Sequence, residues 1–243
     1  HDMDFLTLTT TCCQIDIKKL FRHGFATGHG HLREPQDIQS YAALACIAIQ
    51  SNQNDQHGGQ SIPNFDYGMA PGVAKTYIRL YFQNLAKALD LLGNVENAAE
   101  QAKNIQDSIR KEYHLHPTLG GIENYQTIEK QMLNRIVPEE SNIQRIQSFA
   151  ATNAEKETDR NTYQAMEALI HNLNTMHSRA GAQVPFSSLN YGTDTSPEGR
   201  LAMKNVLLAT DAGLGNGETP IFPIHIFKVK EGINYNPGDP NYD

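Results

Sequence analysis

A chain of 243 residues that is 39% hydrophobic is long enough to bury one large core or two small ones. Its net charge of −7 argues against a nucleic-acid surface, because binding to a phosphate backbone requires clustered Lys and Arg. No apolar run reaches the ~18 residues of a membrane span and no secretory signal opens the sequence, so we expect a cytoplasmic protein with neither a membrane nor a direct nucleic-acid partner.

The N-terminal part predicts a strand followed by a helix. Residues 4–17 are rich in Thr, Leu and Ile without a breaker, which favours a strand. Pro35-Gln36-Asp37 then leads into an apolar-periodic run from Ile38 to Gln50 that predicts a helix. The polar residues after this helix end at the Gly58-Gly59 pair.

The middle of the chain predicts a helix-rich stretch over about residues 71–179. A short extended segment, Gln60 to Asp66, precedes it, and Pro71 opens a long helical pattern that Gly93 closes. The last helix of the stretch is expected from about Glu157 to Arg179. Interruptions are predicted at Pro117 to Gly121 and at Pro138.

The C-terminal third alternates strands with helices. Gln183 to Leu189 and Pro220 to Lys230 have strand composition, and Pro197 to Ala212 has helical periodicity. Gly213 to Gly217 reads as a turn that caps this helix, and Asn234 to Asp243 reads as a loop. This alternation predicts parallel βα units and therefore an α/β fold.

The cysteines are the first candidates for chemistry. Cys12, Cys13 and Cys46 form neither a disulfide framework nor a Cys-x-x-Cys zinc pattern, so a reducing compartment and single-thiol chemistry are expected. Successive side chains of a strand point to opposite faces. The even positions Cys12, Gln14 and Asp16 form a polar face, and the odd positions Cys13, Ile15 and Ile17 form an apolar one. If the sheet curls into a barrel, Cys12 faces the lumen; the alternative is that both thiols are small buried hydrophobes.

Small polar residues at strand ends are the second group of candidates. Gly58 to Ser61 and Ser187 to Asn190 are placed to bind a sugar or phosphate, although ordinary turn chemistry is an equal alternative. Thr27 to His31 combines glycines with histidines, but no ligand spacing supports a metal, and a flexible loop is favoured. His171 and His177 are interpreted as packing or surface residues on the last helix of the stretch, and no metal site is predicted.

Six segments carry a family resemblance: Thr10 to Ile17, Gln53 to Gln60, Asn172 to Arg179, Gln183 to Ser188, Pro220 to Pro223 and Pro237 to Asp243. Together they resemble the catalytic subunit of class III, anaerobic ribonucleotide reductase, a glycyl-radical enzyme of deoxyribonucleotide synthesis for DNA. They follow the family's order over nearly the whole sequence.

The resemblance implies a fold and a chemistry. The family folds as a ten-stranded α/β barrel made of two antiparallel halves of five parallel strands, and residues 1–243 would supply about the first half with a helical insertion. A glycyl radical takes hydrogen from a finger-loop cysteine, whose thiyl radical abstracts the 3′ hydrogen of the ribose. A second cysteine, on the first strand, helps to reduce the 2′ position. The pattern Cys-x-x-Ile-Asp assigns this second cysteine to Cys12.

The resemblance also implies ligands and partners. The substrate would be a ribonucleoside triphosphate, with ATP and deoxynucleotide effectors, a homodimeric partner, a radical-SAM activating enzyme, and formate or a thiol protein as reductant. The helix around Ile38 to Gln53 is the predicted contact for the dimer and its effectors. The predicted substrate-binding residues are Gly59, Gln60, Ser187, Ser188 and Asn190.

Several parts of the family pattern have no counterpart in these residues: the finger-loop cysteine, the glycyl-radical motif, the zinc-binding cysteines and the ATP-binding regulatory domain. The glycyl radical and the structural zinc are therefore not expected within this chain, which looks like an incomplete portion that does not turn over alone. Two alternatives stay open. One is a non-catalytic nucleotide-binding or scaffold module, and the other is a glycyl-radical enzyme of the formate-lyase type.

Overall fold

The computed structural model describes residues 12–27, 30–56, 58–177 and 183–242. The chain divides into two compact units. Residues 1–72 and 162–243 form the first, here called the sheet unit, and residues 73–161 form the second, the helical unit. Within the described ranges, no helix combines the length and the apolar character that crossing a bilayer requires.

Seven helices and six strands are assigned in the described residues. The helices are α1 Ile17–Phe21, α2 Ile38–Asp55, α3 Phe65–Gly93, α4 Ala98–Tyr113, α5 Glu123–Leu133, α6 Glu140–Thr175 and α7 Pro197–Ala212. The strands are β1 Cys13–Gln14, β2 Phe25–Ala26, β3 His31–Leu32, β4 Gln60–Ile62, β5 Ser187–Tyr191 and β6 Ile224–Phe227.

One parallel sheet organises the sheet unit. Its strands lie in the order β1-β4-β5-β6, which is also their order along the chain. The connections between them contain helices, as a parallel pair requires a long crossover. The predicted α/β class is therefore confirmed by a four-stranded parallel sheet with helices, while the closed ten-stranded barrel stays a prediction.

The predicted strand at residues 4–17 is shorter in its described part, because residues 4–11 lie outside the described ranges. Strand β1 covers only Cys13–Gln14, and helix α1 begins at Ile17. Asp16 caps this helix, since its Oδ1 accepts a hydrogen bond from the Lys19 amide at 3.1 Å. The buried pair Ile17 and Phe21, one helical turn apart, favours the helix over an extended chain.

The long helix after β4 begins earlier than predicted. Helix α3 starts at Phe65, and Pro71 lies inside it rather than at its first turn. An interior proline removes one backbone hydrogen bond and costs about 3 kcal/mol. Phe65 and Met69 are fully buried on this N-terminal segment, and burying two such side chains offsets a cost of that size. The predicted end at Gly93 is confirmed.

The observed bounds of helix α6 differ from the predicted ones, whereas those of helix α7 match them. Helix α6 spans Glu140–Thr175 instead of 157–179. Its first half is rich in polar residues, but one stripe of small and branched side chains along it is buried, and this burial favours the helix. That stripe consists of Ile143, Ile146, Ala150 and Ala154. Helix α7 has the predicted bounds; the Ser196 hydroxyl caps it by accepting from the Gly199 amide at 3.0 Å, and Gly213 ends it with a positive φ.

A hairpin occupies the flanks of the predicted glycine-histidine loop. Strands β2 and β3 pair antiparallel, with Phe25 opposite Leu32 and Ala26 opposite His31. The Thr27 amide donates to the Gly30 carbonyl at 3.2 Å. Gly28 and His29, which belong to the predicted loop, lie outside the described residues.

The core of the helical unit contains a buried carboxyl group. Glu129 of α5 has no exposed surface, and its Oε2 accepts from the Tyr81 hydroxyl at 2.8 Å and from Gln147 Nε2 at 2.9 Å. Glu129 Oε1 and the Tyr125 hydroxyl are buried without a hydrogen-bond partner. Burial raises the pKa of Glu129 to about 7, although the hydrogen bonds from Gln147 and Tyr81 oppose this shift.

Candidate functional site

The parallel sheet has one buried face and one open face, and the open face carries most of the sequence-predicted side chains. In register, Gln14 lies beside Ser61 and Ser61 beside Ser188. Aligned residues of neighbouring strands point to the same side of a sheet. We call this side the polar face after its polar side chains, Cys12, Gln14, Ser61, Ser188 and Asn190. Cys12 and Gln14 are exposed and the other three are half-buried. At the β6 edge, the register adds the exposed apolar side chains of Ile224 and Ile226 to the same face.

A hydrogen bond links two strands across the polar face. The Ser61 hydroxyl donates to Asn190 Oδ1 at 3.1 Å. This bond fixes the Asn190 oxygen and leaves the Asn190 amide nitrogen as a donor facing the open side. Ser61 ends the candidate segment Gly58 to Ser61 but was not selected as a substrate-binding residue. Strand alternation offered the signal, because Ile62 is an apolar core position and its neighbour Ser61 must point the other way.

Two predicted site residues lie on the opposite, buried face. Gln60 and Ser187 are each 1% exposed and are register partners of one another. Gln60 Oε1 accepts a hydrogen bond from Asn52 Nδ2 of α2, and its Nε2 donates to the Gly58 carbonyl at 3.4 Å. The structure therefore brings Cys12, Ser188 and Asn190 to one face, and it separates Gln60 and Ser187 from them.

The three thiols occupy different surroundings. Cys12 is exposed at the start of β1, on the same face as Gln14 by strand alternation. Cys13 is half-buried and lines a cleft of about 380 Å³ together with Gln14, Asp16 and Phe25. Cys46 is buried in α2, and burial raises its pKa to about 12. Because a reactive thiol needs access to its substrate, Cys12 is the thiol best placed for chemistry on the polar face.

The carboxyl ends of the strands are occupied by the protein's own polar groups. Asp66 of α3 is fully buried, and its Oδ2 accepts from the backbone amides of Gly192, Thr193 and Asp194, each at 3.0 Å. Asp66 Oδ1 accepts from the Tyr67 amide at 3.0 Å. Asn241 Nδ2 donates to the carbonyls of Gly192 and Asp194 at 3.2 and 2.8 Å. These bonds fix the loop that follows β5, and therefore fix the end of the strand that carries Asn190.

A histidine on the buried face has a defined tautomer. The Thr210 hydroxyl donates to the Val206 carbonyl at 2.7 Å, so its oxygen accepts from His225 Nε2–H at 3.0 Å. His225 Nδ1 then accepts from the Tyr191 hydroxyl, also at 3.0 Å. Burial lowers the pKa of His225, which favours this neutral ring. The histidine therefore ties β5 and β6 to α7 and does not face the polar side.

Metal binding finds no support in the part of the chain that the structure describes. Among those residues, no group of three or more His, Cys, Asp or Glu side chains is arranged to hold a metal ion. His31 of the glycine-histidine segment is exposed on β3, and His171 and His177 lie at the C-terminal end of α6, half-buried and exposed respectively, in line with the packing or surface role predicted for them.

The site is thus a polar sheet face of an α/β protein with an exposed thiol at the start of its first strand. A family model described as anaerobic ribonucleoside-triphosphate reductase matches residues 1–243. The protein of that name from Enterobacteria phage T4 is 27% identical over the whole of this chain and 31% of its own length. Those from Escherichia coli and Haemophilus influenzae are 26% and 25% identical, again over the whole chain and 26% of their own lengths.

The chain belongs to the anaerobic ribonucleoside-triphosphate reductase family. It spans between about a quarter and a third of the length of the relatives named here. The resemblance that six short segments indicated therefore extends over all 243 residues.

Proposed function

We propose that this chain is the first half of the catalytic barrel of an anaerobic ribonucleoside-triphosphate reductase, and that the polar face lines the lumen in which the nucleotide is reduced. The observation that carries the proposal is the side on which Cys12 lies. The family assigns a reducing thiol to the first strand, and the exposed thiol of β1 shares a face with the polar side chains Ser61, Ser188 and Asn190.

The sheet supports a barrel in two ways. Its parallel strands follow chain order, as successive strands of a barrel wall do. Strand β6 is an edge of the described sheet, so its outer backbone N–H and C=O groups can pair with a further strand. Its exposed apolar side chains point to both faces, Ile224 and Ile226 to the polar face and Phe227 to the other. The second half of the barrel is the partner that fits this edge.

The chemistry assigned to Cys12 is the delivery of an electron and a proton towards the 2′ position of the ribose. A thiol suits this role because a sulfur radical persists yet exchanges hydrogen with carbon. The glycyl radical of the family, outside these residues, supplies the initial hydrogen abstraction. Formate or a thiol protein is the final reductant, and a radical-SAM enzyme is the activating partner.

The remaining polar side chains are suited to the sugar and phosphate of a ribonucleoside triphosphate. Ser188 offers a hydroxyl that donates or accepts, and Asn190 keeps its amide N–H groups for an acceptor on the ligand. Ser61 holds Asn190 through its 3.1 Å hydrogen bond. This set replaces Gln60 and Ser187 as the proposed contacts, because those two side chains are buried on the other face.

Dimer formation and effector binding are proposed at helix α2. Its outward stripe contains Ala43, Leu44 and Ile47, which are exposed or half-buried, and small apolar residues allow close approach of a second helix. A cleft of about 270 Å³ beside the start of this helix is lined by Arg33, Glu34 and Ser40. The Ser40 hydroxyl donates to Asp37 Oδ1 at 2.7 Å, so Arg33 is the group that we propose for an effector phosphate.

Two adjacent serines provide the test. Calorimetry measures binding of ribonucleoside triphosphates to the wild-type chain and to the variants Ser188→Ala and Ser187→Ala. Because one hydrogen bond contributes about 0.5–1.5 kcal/mol, Ser188→Ala is expected to weaken binding about two- to tenfold. Ser187→Ala, the matched control on the buried face, is expected to leave binding unchanged. Equal weakening by both variants, or no binding by a folded chain, would contradict the proposed face.

A further inference from the structure

Phe186 is an exposed aromatic residue at the edge of a polar surface. It directly precedes β5, and its side chain is 52% exposed. Ser187 is buried on one face and Ser188 lies on the other, so alternation places Phe186 on the polar face with Ser188. A single exposed aromatic residue is common on protein surfaces, so the case for a function rests on how this ring is held and on what lies beside it.

The ring of Phe186 lies over Gly59. A Cβ atom built on Gly59 would be 3.3 Å from Cδ1 of Phe186. Gly59 lies between β1 and β5, because its carbonyl accepts from the Cys13 amide at 3.0 Å and the next amide, Gln60 N–H, donates to the Phe186 carbonyl at 2.8 Å. The ring therefore leans across the middle strand towards the strand that carries Cys12.

The register puts Cys12 at the same level as this ring. Cys13 pairs with Gln60 and Gln60 pairs with Ser187. One residue earlier on each strand are Cys12, Gly59 and Phe186, all on the polar face. Neighbouring strands are about 4.8 Å apart, and only Gly59, which has no side chain, separates the thiol from the ring. The role of Gly59 is thus to make room for an aromatic side chain.

The position of the ring is supported from behind. Phe222 packs against it edge-on, with the ring centroids 5.1 Å apart and an angle of 65°. Asn174, near the end of α6, holds Phe222 in turn: its Oδ1 accepts from the amides of Ile221 and Phe222 at 2.9 and 3.1 Å. Asn174 Nδ2 donates to the carbonyls of Ile170 and Phe222.

Four of the sequence segments that indicated the family meet at this point. The pair Gly58-Gly59 leaves the space, the segment Gln183 to Ser188 supplies the ring, and Pro220 to Pro223 supplies its aromatic support. The segment Asn172 to Arg179 supplies the clamping amide. A ring fixed on one side and open on the other has lost its own freedom in advance, so a ligand that stacks on it loses less entropy.

We propose that Phe186 is a positioning residue whose ring forms an apolar wall beside Cys12, and that a flat part of a nucleoside packs against this wall. The identity of the ligand rests on the proposed function. Aromatic rings stack on nucleobases and on the C–H face of a sugar without reading a base sequence. The wall holds the sugar next to the thiol, while Ser188 and Asn190 further along β5 contact its polar groups.

The test uses the thiols of the chain as reporters. The rates of alkylation of Cys12 and Cys13 by N-phenylmaleimide and N-ethylmaleimide are measured by peptide mass spectrometry. Cys13 is half-buried, and strand alternation points its side chain to the other face of β1, so it serves as the internal reference. For each thiol, the rate with N-phenylmaleimide is divided by the rate with N-ethylmaleimide. In the wild type, this ratio is expected to be about fivefold higher for Cys12 than for Cys13, because one weak aromatic stacking contact gives an effect of that size.

Three substitutions of Phe186 and one control substitution distinguish an effect of the aromatic ring from a general effect on the fold or on thiol reactivity. Phe186→Ala and the bulk-preserving Phe186→Leu are both expected to abolish the phenyl preference at Cys12, and Phe186→Tyr is expected to keep it. Phe227→Ala is the matched control, because Phe227 is also 52% exposed but belongs to β6 and the other face. If Phe186→Leu keeps the full preference in a folded chain, or if Phe227→Ala loses it equally, the proposal is overturned.

A second arm separates this proposal from the proposed function. A ribonucleoside triphosphate is added before N-ethylmaleimide, and protection of Cys12 is measured for the wild type and for Phe186→Leu. Protection that falls with Phe186→Leu supports a nucleoside on the wall. No protection in a wild-type chain that retains the phenyl preference overturns the nucleotide assignment and leaves the wall itself supported.

Discussion

Among the described residues, each unit has one carboxyl group that is 0% exposed, and the two groups have very different surroundings. Asp66 in the sheet unit receives four backbone N–H groups, three on Oδ2 and one on Oδ1. Glu129 in the helical unit receives two side-chain donors, both on Oε2, and its Oε1 has no partner. Both residues are 0% exposed. Two equally buried carboxyl groups can therefore have very different hydrogen bonding, because the number and the position of their donors differ.

The difference follows from what each carboxyl group connects. Asp66 joins the start of α3 to the loop after β5, where backbone amides have no strand partner and need an acceptor. Glu129 joins three helices whose amides are already paired within the helices, so only side chains remain as donors. Asp66 is thus part of the fold, while Glu129 is a point at which pH acts on stability.

The largest expected effect comes from removing the better-paired group. Asp66→Ala leaves up to four buried backbone N–H groups without an acceptor, and each unpaired donor costs about 1–3 kcal/mol unless water reaches it. We expect a loss of unfolding free energy of about 3–4 kcal/mol, measured by urea unfolding.

Asp90 supplies the matched control for this experiment. It lies on the same helix, α3, but is exposed, so Asp90→Ala is expected to change stability by less than about 0.5 kcal/mol. A loss below about 1 kcal/mol in Asp66→Ala would mean that water replaces the carboxylate, and the contrast with Glu129 would disappear.

The second effect depends on pH. Glu129 has a pKa of about 7 in the folded chain, above its ordinary value of 4.5, so the folded state binds its proton more tightly than the unfolded state does. The resulting stabilisation is fully present below pH 4.5 and is lost as pH rises through 7, by up to about 3 kcal/mol. Glu129→Gln, which carries no charge, is expected to be about 2 kcal/mol more stable than wild type at pH 8 and similar at pH 5.

This prediction is measured by urea unfolding of both proteins at pH 5 and pH 8. Glu123→Gln is the matched control, because Glu123 lies on the same helix, α5, and is exposed. Its stability is expected to follow wild type at both pH values. Parallel pH curves for wild type and Glu129→Gln would show that the carboxyl group titrates near its ordinary pKa, and the contrast between the units would then be one of geometry only.

Local signals predicted the elements that depend on local interactions. Helix α7 has the predicted bounds because Ser196 caps it and Gly213 ends it. Helices α3 and α6 begin earlier than predicted, since burial of Phe65 and Ile143 is a tertiary effect that outweighs an interior proline or a polar composition. The order of the strands was implied by the βα alternation, whereas the register that aligns Cys12 with Gly59 requires contacts between distant segments.

Strand alternation was the most useful signal for the candidate site, whose role stays a prediction. Alternation placed Cys12 and Gln14 on one face of β1, and both side chains are exposed in the structure. The same rule was not applied to β4 and β5, and there Gln60 and Ser187 were selected by their polarity although both are buried. Phe186 was missed because an apolar side chain next to a strand is usually core.

The smallest expected effect tests whether the Ser187 hydroxyl is buried without a hydrogen-bond partner. Its hydroxyl is buried and has no hydrogen-bond partner, so it carries a desolvation cost that a methyl group does not. Ser187→Ala is therefore expected to raise the unfolding free energy by up to about 1 kcal/mol, seen as a higher urea midpoint at an unchanged m-value. Ser188→Ala on the open face is expected to change stability by less than about 0.5 kcal/mol. A destabilised Ser187→Ala protein would show that the hydroxyl has a partner, such as a buried water, and that polar groups of the sheet unit are paired on both faces.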